Sequence, residues 1–165
     1  MLKDVSPEFF PKISITLGQN CNLNIQGILV LNARLEINMR DNCTLNLGPG
    51  QLMNGVVNLN MGEKSNLDVG SDCLWGETTI WTSDFHSILK KGTSMRINPP
   101  QDIKIANSVW IGHEVLILKG ARVGENSVIA ARSTVLKGVY PSNVILAGSP
   151  AKVVKKNIQW TEQLI

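Results

Sequence analysis

The sequence predicts an all-β fold: one three-sided parallel solenoid in a single domain. Three observations carry this. Ile105, Ile111, Ile117, Val123, Ile129 and Val135 recur every six residues, and every one is aliphatic. The residues two before each, Ile103, Val109, Val115, Ala121, Ser127 and Ser133, are small or aliphatic too. Aromatic residues make up only 5% of the 165 residues, as expected for a core too narrow for many rings. A period of six fits neither an amphipathic helix nor a heptad. It fits short parallel strands joined by tight turns, with each main position pointing into a core that only stacked neighbours can bury.

The elements follow in order. Residues 1–11 form a lead in which Pro7 and Pro11 bracket Phe9 and Phe10, expected to cap the open strand edge. The solenoid is predicted from Lys12 to Val144. As far as Leu74 its repeat is looser: Ile13-x-Ile15-x-Leu17-Gly18, Leu45-x-Leu47-Gly48 and Leu67-x-Val69-Gly70 alternate inward and then turn at glycine. Alternation alone also suits an antiparallel sheet; the glycine corners and continuity with the strict repeat favour the solenoid. Val69, Trp75 and Trp81 are again six apart, and the indoles imply either a cleft or a local widening. From Leu89 to Gln101 the period breaks in a basic stretch with a Pro pair, predicted to protrude as a binding loop or a plain connection. Residues 150–165 are the tail, in which KVVKKNIQWTEQLI is expected to form a short capping helix.

Composition narrows the function. Sixteen Lys and Arg against thirteen Asp and Glu leave a net charge of +3, too small to argue for nucleic acid. Cys21, Cys43 and Cys73 are odd in number and include no C-x-x-C, which argues against structural zinc or a disulfide framework and for free thiols. The start MLKDVSPEFFPK has no apolar signal region, and no apolar run of about 18 residues occurs, so a cytoplasmic protein is expected. There is no Walker-type loop, GxGxxG or GxSxG. An open zinc site needs three protein ligands, and this chain has only two histidines, so no metal is expected.

Three stretches carry more chemistry than the repeat requires. They are Ser83-Asp84-x-His86-Ser87-Ile88, Asn107-Ser108-Val109-Trp110-Ile111-Gly112, and Ala147-Gly148-Ser149-Pro150-Ala151-Lys152-Val153. With the period, they resemble the hexapeptide-repeat acyltransferases, which fold as a single-stranded left-handed parallel β-helix. The first stretch, followed by Arg96-Ile97-Asn98-Pro99, resembles the sugar and polysaccharide O-acetyltransferase branch. The left hand comes from this resemblance alone, because the general crossover rule favours the right.

The resemblance implies acetyl-CoA as co-substrate, no permanently bound cofactor, a sugar or glycan acceptor, and a homotrimer with each site between two chains. His86 matches the general base: it would take the proton of an acceptor hydroxyl and return it to the departing thiolate. The residue after W-I-G, His113, matches the donor of a backbone N–H to the oxyanion. Lys137 and Lys152 match the region that contacts CoA phosphates, with Arg132, Lys155 and Lys156 behind them. Trp110, Ala130 and Ala131 are expected to line a groove with His113, the alanines leaving room for a pantetheine arm. Asp84, two residues before His86, shares its face in an extended segment. It is placed to fix the imidazole, to bind the acceptor or simply to be solvated. Trp81, Arg96 and Asn98 are the candidate acceptor contacts. Two other readings stand beside this one: N-acetylation of an amino sugar, and a non-catalytic solenoid acting as a scaffold or binding module.

Overall fold

A computed structural model describes residues 12–27, 29–32 and 34–164. All its regular elements are strands, stacked into three faces. The first face stacks β1 (Lys12–Leu17), β4 (Arg34–Met39), β7 (Val57–Met61), β10 (Thr78–Trp81), β13 (Val115–Leu118) and β16 (Thr134–Val135). The second stacks β2 (Asn22–Ile25), β5 (Thr44–Leu47), β8 (Asn66–Val69), β11 (Ile103–Ile105), β14 (Ala121–Val123) and β17 (Gly138–Tyr140). The third stacks β3 (Leu29–Leu31), β6 (Gln51–Met53), β9 (Leu74–Trp75), β12 (Trp110–Ile111), β15 (Val128–Ile129) and β18 (Val144–Gly148), closed by β19 (Ala151–Lys156). Every pairing is parallel except β18 with β19. The chain therefore winds as a triangular prism whose three edges join successive faces.

The strict repeat maps directly onto the core. All six main positions from Ile105 to Val135 are buried, and so are the six residues two before them. Serines fill two of those twelve places because their hydroxyls find partners: Ser127 Oγ donates to the Glu125 carbonyl, and Ser133 Oγ accepts from the Gly148 N–H. Corners use left-handed backbone, adopted by Asn20, Asn42, Asn126 and Asn143 among others, where a short amide side chain tolerates positive φ.

The looser repeat has a physical cause. In the first coils, register partners lie 22 residues apart, as Leu35 opposite Val57 and Thr44 opposite Asn66. In the later coils they lie 18 apart, as Lys104 opposite Arg122 and Leu116 opposite Thr134. The longer coils are bound by amide ladders: Asn24 donates to Asn46, Asn46 to Asp68, Asn32 to Asn54 and Asn38 to Asn60. Their extra girth resolves the tryptophan question. Trp75, in register with Met53, is fully buried, and its indole N–H donates to Gln51 Oε1 at 2.8 Å. Trp81 faces outward at 40% exposure because Ile80 takes the inward place.

Three expectations change. The excursion starts at Thr82 rather than Leu89, filling residues 82–102 between β10 and β11, with a hairpin closed by Leu89 bridging Arg96. The capping helix is absent: Lys152 to Lys156 form β19, which folds back on β18 and covers its open edge with backbone hydrogen bonds that a helix would leave unmade. The parallel stack also runs past Val144, with Leu146 in register with Ile129. The proposed Phe9 and Phe10 cap lies outside the described residues.

Candidate active site

The first edge, joining the first and second faces, carries His86. Its loop is held down at three points. Lys119 Nζ, on the next coil, donates to Asp84 Oδ2 at 2.5 Å and to the Asn98 carbonyl at 3.2 Å. Arg96 Nη1 donates to Glu63 Oε1 on the preceding coil. Gly62 lets the loop base approach, since a Cβ there would lie 2.0 Å from the Ser83 Cβ. The Lys119 and Asn98 hydrogen bonds hold the Asp84 carboxyl below the ordinary carboxylate range. The Arg96 hydrogen bond does the same for Glu63.

Asn98 is the knot of this loop, only 8% exposed. Its amide nitrogen donates to Asp84 Oδ2 and to the His86 carbonyl, both at 2.8 Å. Its oxygen accepts from the Ile88 N–H at 2.7 Å and from Arg96 Nε at 3.3 Å. Its hydrogen-bonding capacity is thus spent inside the loop, and it sets the His86 backbone rather than meeting a ligand. Arg96 is likewise turned inward, although its Nη2 is buried without a partner. The His86 side chain is exposed. Asp84 reaches it only through backbone, where the His86 N–H donates to the Asp84 carbonyl at 2.7 Å.

The third edge, joining the third and first faces, carries His113. A groove of about 580 Å³ beside it is lined by Trp110, Gly112, His113, Val128, Ala130 and Ala131 among others. Four of the sequence candidates, Trp110, His113, Ala130 and Ala131, therefore meet in one place. Gly112 is required there, because a Cβ would lie 2.7 Å from the Ala131 nitrogen. Among the described residues the His113 N–H donates no hydrogen bond. The imidazole of His113 is exposed between Glu77 and Glu114. Glu114 is held below the ordinary carboxylate range by its hydrogen bond from Arg132.

Lys152 pairs with Ala147, and the Ala130 N–H donates to the neighbouring Leu146 carbonyl, so Lys152 continues the row of the groove. Lys137 does not. It sits on the first edge and lines a separate cavity of about 490 Å³ with Lys64 and Arg122. The two candidate lysines are on different edges because β16 ends at Val135 and Lys137 turns the corner into β17.

A neighbour of the groove residue Trp110 was not legible in the sequence. Trp160, beyond β19, returns across the third face. Its ring centroid lies 5.9 Å from that of Trp110, and its indole N–H donates to the Ser108 carbonyl at 2.8 Å. Trp81 stands on the first face, edge-on to Phe85 with centroids 5.5 Å apart.

Comparison with known proteins agrees with this architecture. Residues 102–137 match the family model described as bacterial transferase hexapeptide (six repeats). A polysialic acid O-acetyltransferase of Escherichia coli O1:K1 / APEC is 43% identical over 92 residues, 55% of this chain and 30% of that protein. A chloramphenicol acetyltransferase of Morganella morganii is 49% identical over 55 residues, 33% of this chain and 26% of that protein. The crystal structure of the polysialic acid O-acetyltransferase OatWY superposes with a TM-score of 0.68 at 28% identity, covering 98% of this chain and 87% of that one. The matched stretches span from 26% to 48% of the length of the curated relatives. No helix among the described residues is long and apolar enough to cross a membrane. The repeat, the family match over residues 102–137 and the shared architecture together give the chain the fold of the hexapeptide-repeat acyltransferases, a left-handed parallel β-helix.

Proposed function

We propose that this chain is an acetyl-CoA-dependent O-acetyltransferase acting on a sugar hydroxyl of a glycan, with His86 as general base. The observation that carries the reading is the division of the chemistry between two edges. His86 stands on the first edge, and the groove with the His113 N–H stands on the third. The first face between them is four to six residues wide in most coils, about 13–20 Å. Acyl transfer needs its groups within about 3 Å of the reacting atoms, so one chain does not complete a site. Two chains do, if the first edge of one meets the third edge of the next, as in a closed homotrimer. Trp81, Leu136, Leu116 and Leu118 give the first face an outward apolar surface suited to that contact.

In this site the His86 imidazole takes the hydroxyl proton as the sugar oxygen bonds to the thioester carbonyl carbon. The carbonyl electron pair moves onto oxygen, where the His113 N–H of the neighbouring chain donates to it. Collapse breaks the C–S bond, and the imidazolium returns the proton to the thiolate. The products are the acetyl ester and CoA. Ala130 and Ala131 leave space for the pantetheine arm, Trp110 walls it with Trp160 packed behind, and Lys152 of the same row meets a phosphate. Lys137 contributes from the first edge. Asp84, Arg96 and Asn98 act through the loop, by fixing where His86 stands.

The test is thiol release from acetyl-CoA against a panel of neutral and acidic oligosaccharides. Acceptor-dependent release with an alkali-labile product supports the reading. An alkali-stable amide product favours N-acetylation, and CoA neither bound nor consumed favours the scaffold.

A further inference from the structure

We infer that Phe85 is a positioning residue for His86: its ring, clamped on the first face, holds the turn from which the imidazole projects. The inference rests on His86 as general base and names the group that aims it. Thr16, Asn38, Asn60 and Trp81 stand in register as one outward row on the first face. Four residues after each, the first edge turns. Asn20, Asn42, Lys64 and Phe85 hold left-handed backbone there, with φ of 54°, 60°, 54° and 59°. Among the described non-glycine residues with positive φ, Phe85 is the sole aromatic. Positive φ is an outlier for so bulky a side chain, and such strain gathers at functional sites.

At the two preceding corners the chain turns back into the core: Cys43 and Ser65, which follow Asn42 and Lys64, are buried. His86, which follows Phe85, is exposed. The His86 N–H donates to the Asp84 carbonyl at 2.7 Å and closes a three-residue turn with Phe85 at its centre. With positive φ at the central residue, this is the rare and strained form of γ-turn. It swings the next residue outward, where the earlier corners send theirs inward.

The turn is held from both sides. Before it, the Phe85 N–H donates to Ser83 Oγ at 3.0 Å, and the ring reaches back along the outward row. The ring stands edge-on to Trp81 with centroids 5.5 Å apart, and the Arg40 guanidinium lies 6.0 Å from its centroid. With Arg40, Asn38 and Asn60 of the two preceding coils it lines a cavity of about 470 Å³. After the turn, Asn98 Nδ2 holds the His86 carbonyl at 2.8 Å. Ring and amide thus fix the backbone of His86 at both ends. The solenoid itself does not need the ring: Asn20 and Asn42 make the same corner, and asparagine tolerates positive φ better than phenylalanine does. Exchanging the ring for an amide should therefore relieve the corner and free His86.

The experiment compares Phe85→Asn with the wild type and with Phe85→Tyr as the conservative control, all in the full chain. It reads kcat, KM for acetyl-CoA, melting temperature and the carbon–proton NMR signal of the His86 imidazole, assigned by its loss in His86→Ala. Phe85→Asn should melt at or above the wild-type temperature and keep its KM for acetyl-CoA. Its kcat should fall about 10- to 100-fold, as a misplacement of about 1 Å can cost. Its His86 signal should move toward that of a mobile histidine, and Phe85→Tyr should keep most of the wild-type kcat. Added to His86→Ala, Phe85→Asn should cost nothing further, because the two act through one group. A wild-type kcat or an unmoved His86 signal in Phe85→Asn would overturn the inference. So would a melting temperature that falls together with kcat, or a kcat loss repeated in full on the His86→Ala background. The NMR arm needs no turnover, so failure of the base assignment, shown by near-normal activity of His86→Ala, is read separately.

Discussion

Asp84 gives its carboxylate to the Lys119 ammonium, 2.5 Å away on the next coil. The pair, with Asn98 bridging to the His86 carbonyl, makes Asp84 a loop anchor instead of an imidazole partner. Its carboxyl and that of Glu63 both lie below the ordinary carboxylate range. A depressed carboxylate stabilises the fold above its unfolded pKa and loses that contribution as pH falls through its folded pKa. Loop order should therefore be constant near neutrality and fall below about pH 4. Proteolysis within residues 88–97 should accelerate in acid before global unfolding. Asp84→Asn should show the faster cleavage already at pH 7, with only a small change in melting temperature.

Ile111 is fully buried at the centre of the later coils. Ile111→Asp would place an unpaired charge in a core with no polar partner there. That costs roughly 4 kcal/mol or more, a large share of a domain's 5–15 kcal/mol. Thermal melting should fall steeply or the protein should be recovered unfolded; normal melting would refute the inward assignment.

Cys73 is buried and free, and burial pushes its thiol up to about 11. The thiolate is the reactive form, so Cys73 should resist iodoacetamide at pH 8 in the native protein and react only after unfolding. Mass mapping of the alkylated peptide checks this.

Trp160 lies tilted against Trp110, which lines the candidate groove. Such an aromatic pair is worth about 0.5–1.5 kcal/mol beyond buried area. Trp160→Ala should cost about 0.5–1.5 kcal/mol of stability and raise the KM for acetyl-CoA with kcat little changed, and Trp160→Phe should restore most of both. A fall in kcat alone would remove the tail from the CoA groove.

These residues also mark what was legible in the sequence. From Ile103 to Val135 each hexapeptide is one short strand and its corner, so inward positions recur without interruption and could be read directly. The earlier coils insert four more residues per turn, which blurs the six-residue period. The alternative period was written in the asparagines, with Asn24 and Asn46, Asn32 and Asn54, and Asn38 and Asn60 each one long coil apart. The W-I-G strip was legible because a single strand and its neighbour build the groove. Arg40, Asn38 and Asn60 were not, because their meeting with Phe85 depends on how the inserted loop folds back on earlier coils. Trp160 was hidden for the same reason: its partner Ser108 lies 52 residues earlier in the chain. The length of the tail suggests a helix, although the Lys152 to Lys156 stretch pairs as a strand.

Proton removal from the acceptor by His86 is tested by kcat of His86→Ala with a confirmed acceptor. Losing a general base costs about 10²- to 10⁴-fold. A loss of that order is expected, with CoA affinity and melting temperature unchanged. His113→Ala should lose far less, since it keeps the backbone N–H. Near-normal turnover by His86→Ala, or its retention there with abolition in His113→Ala, would rule out His86 as the base.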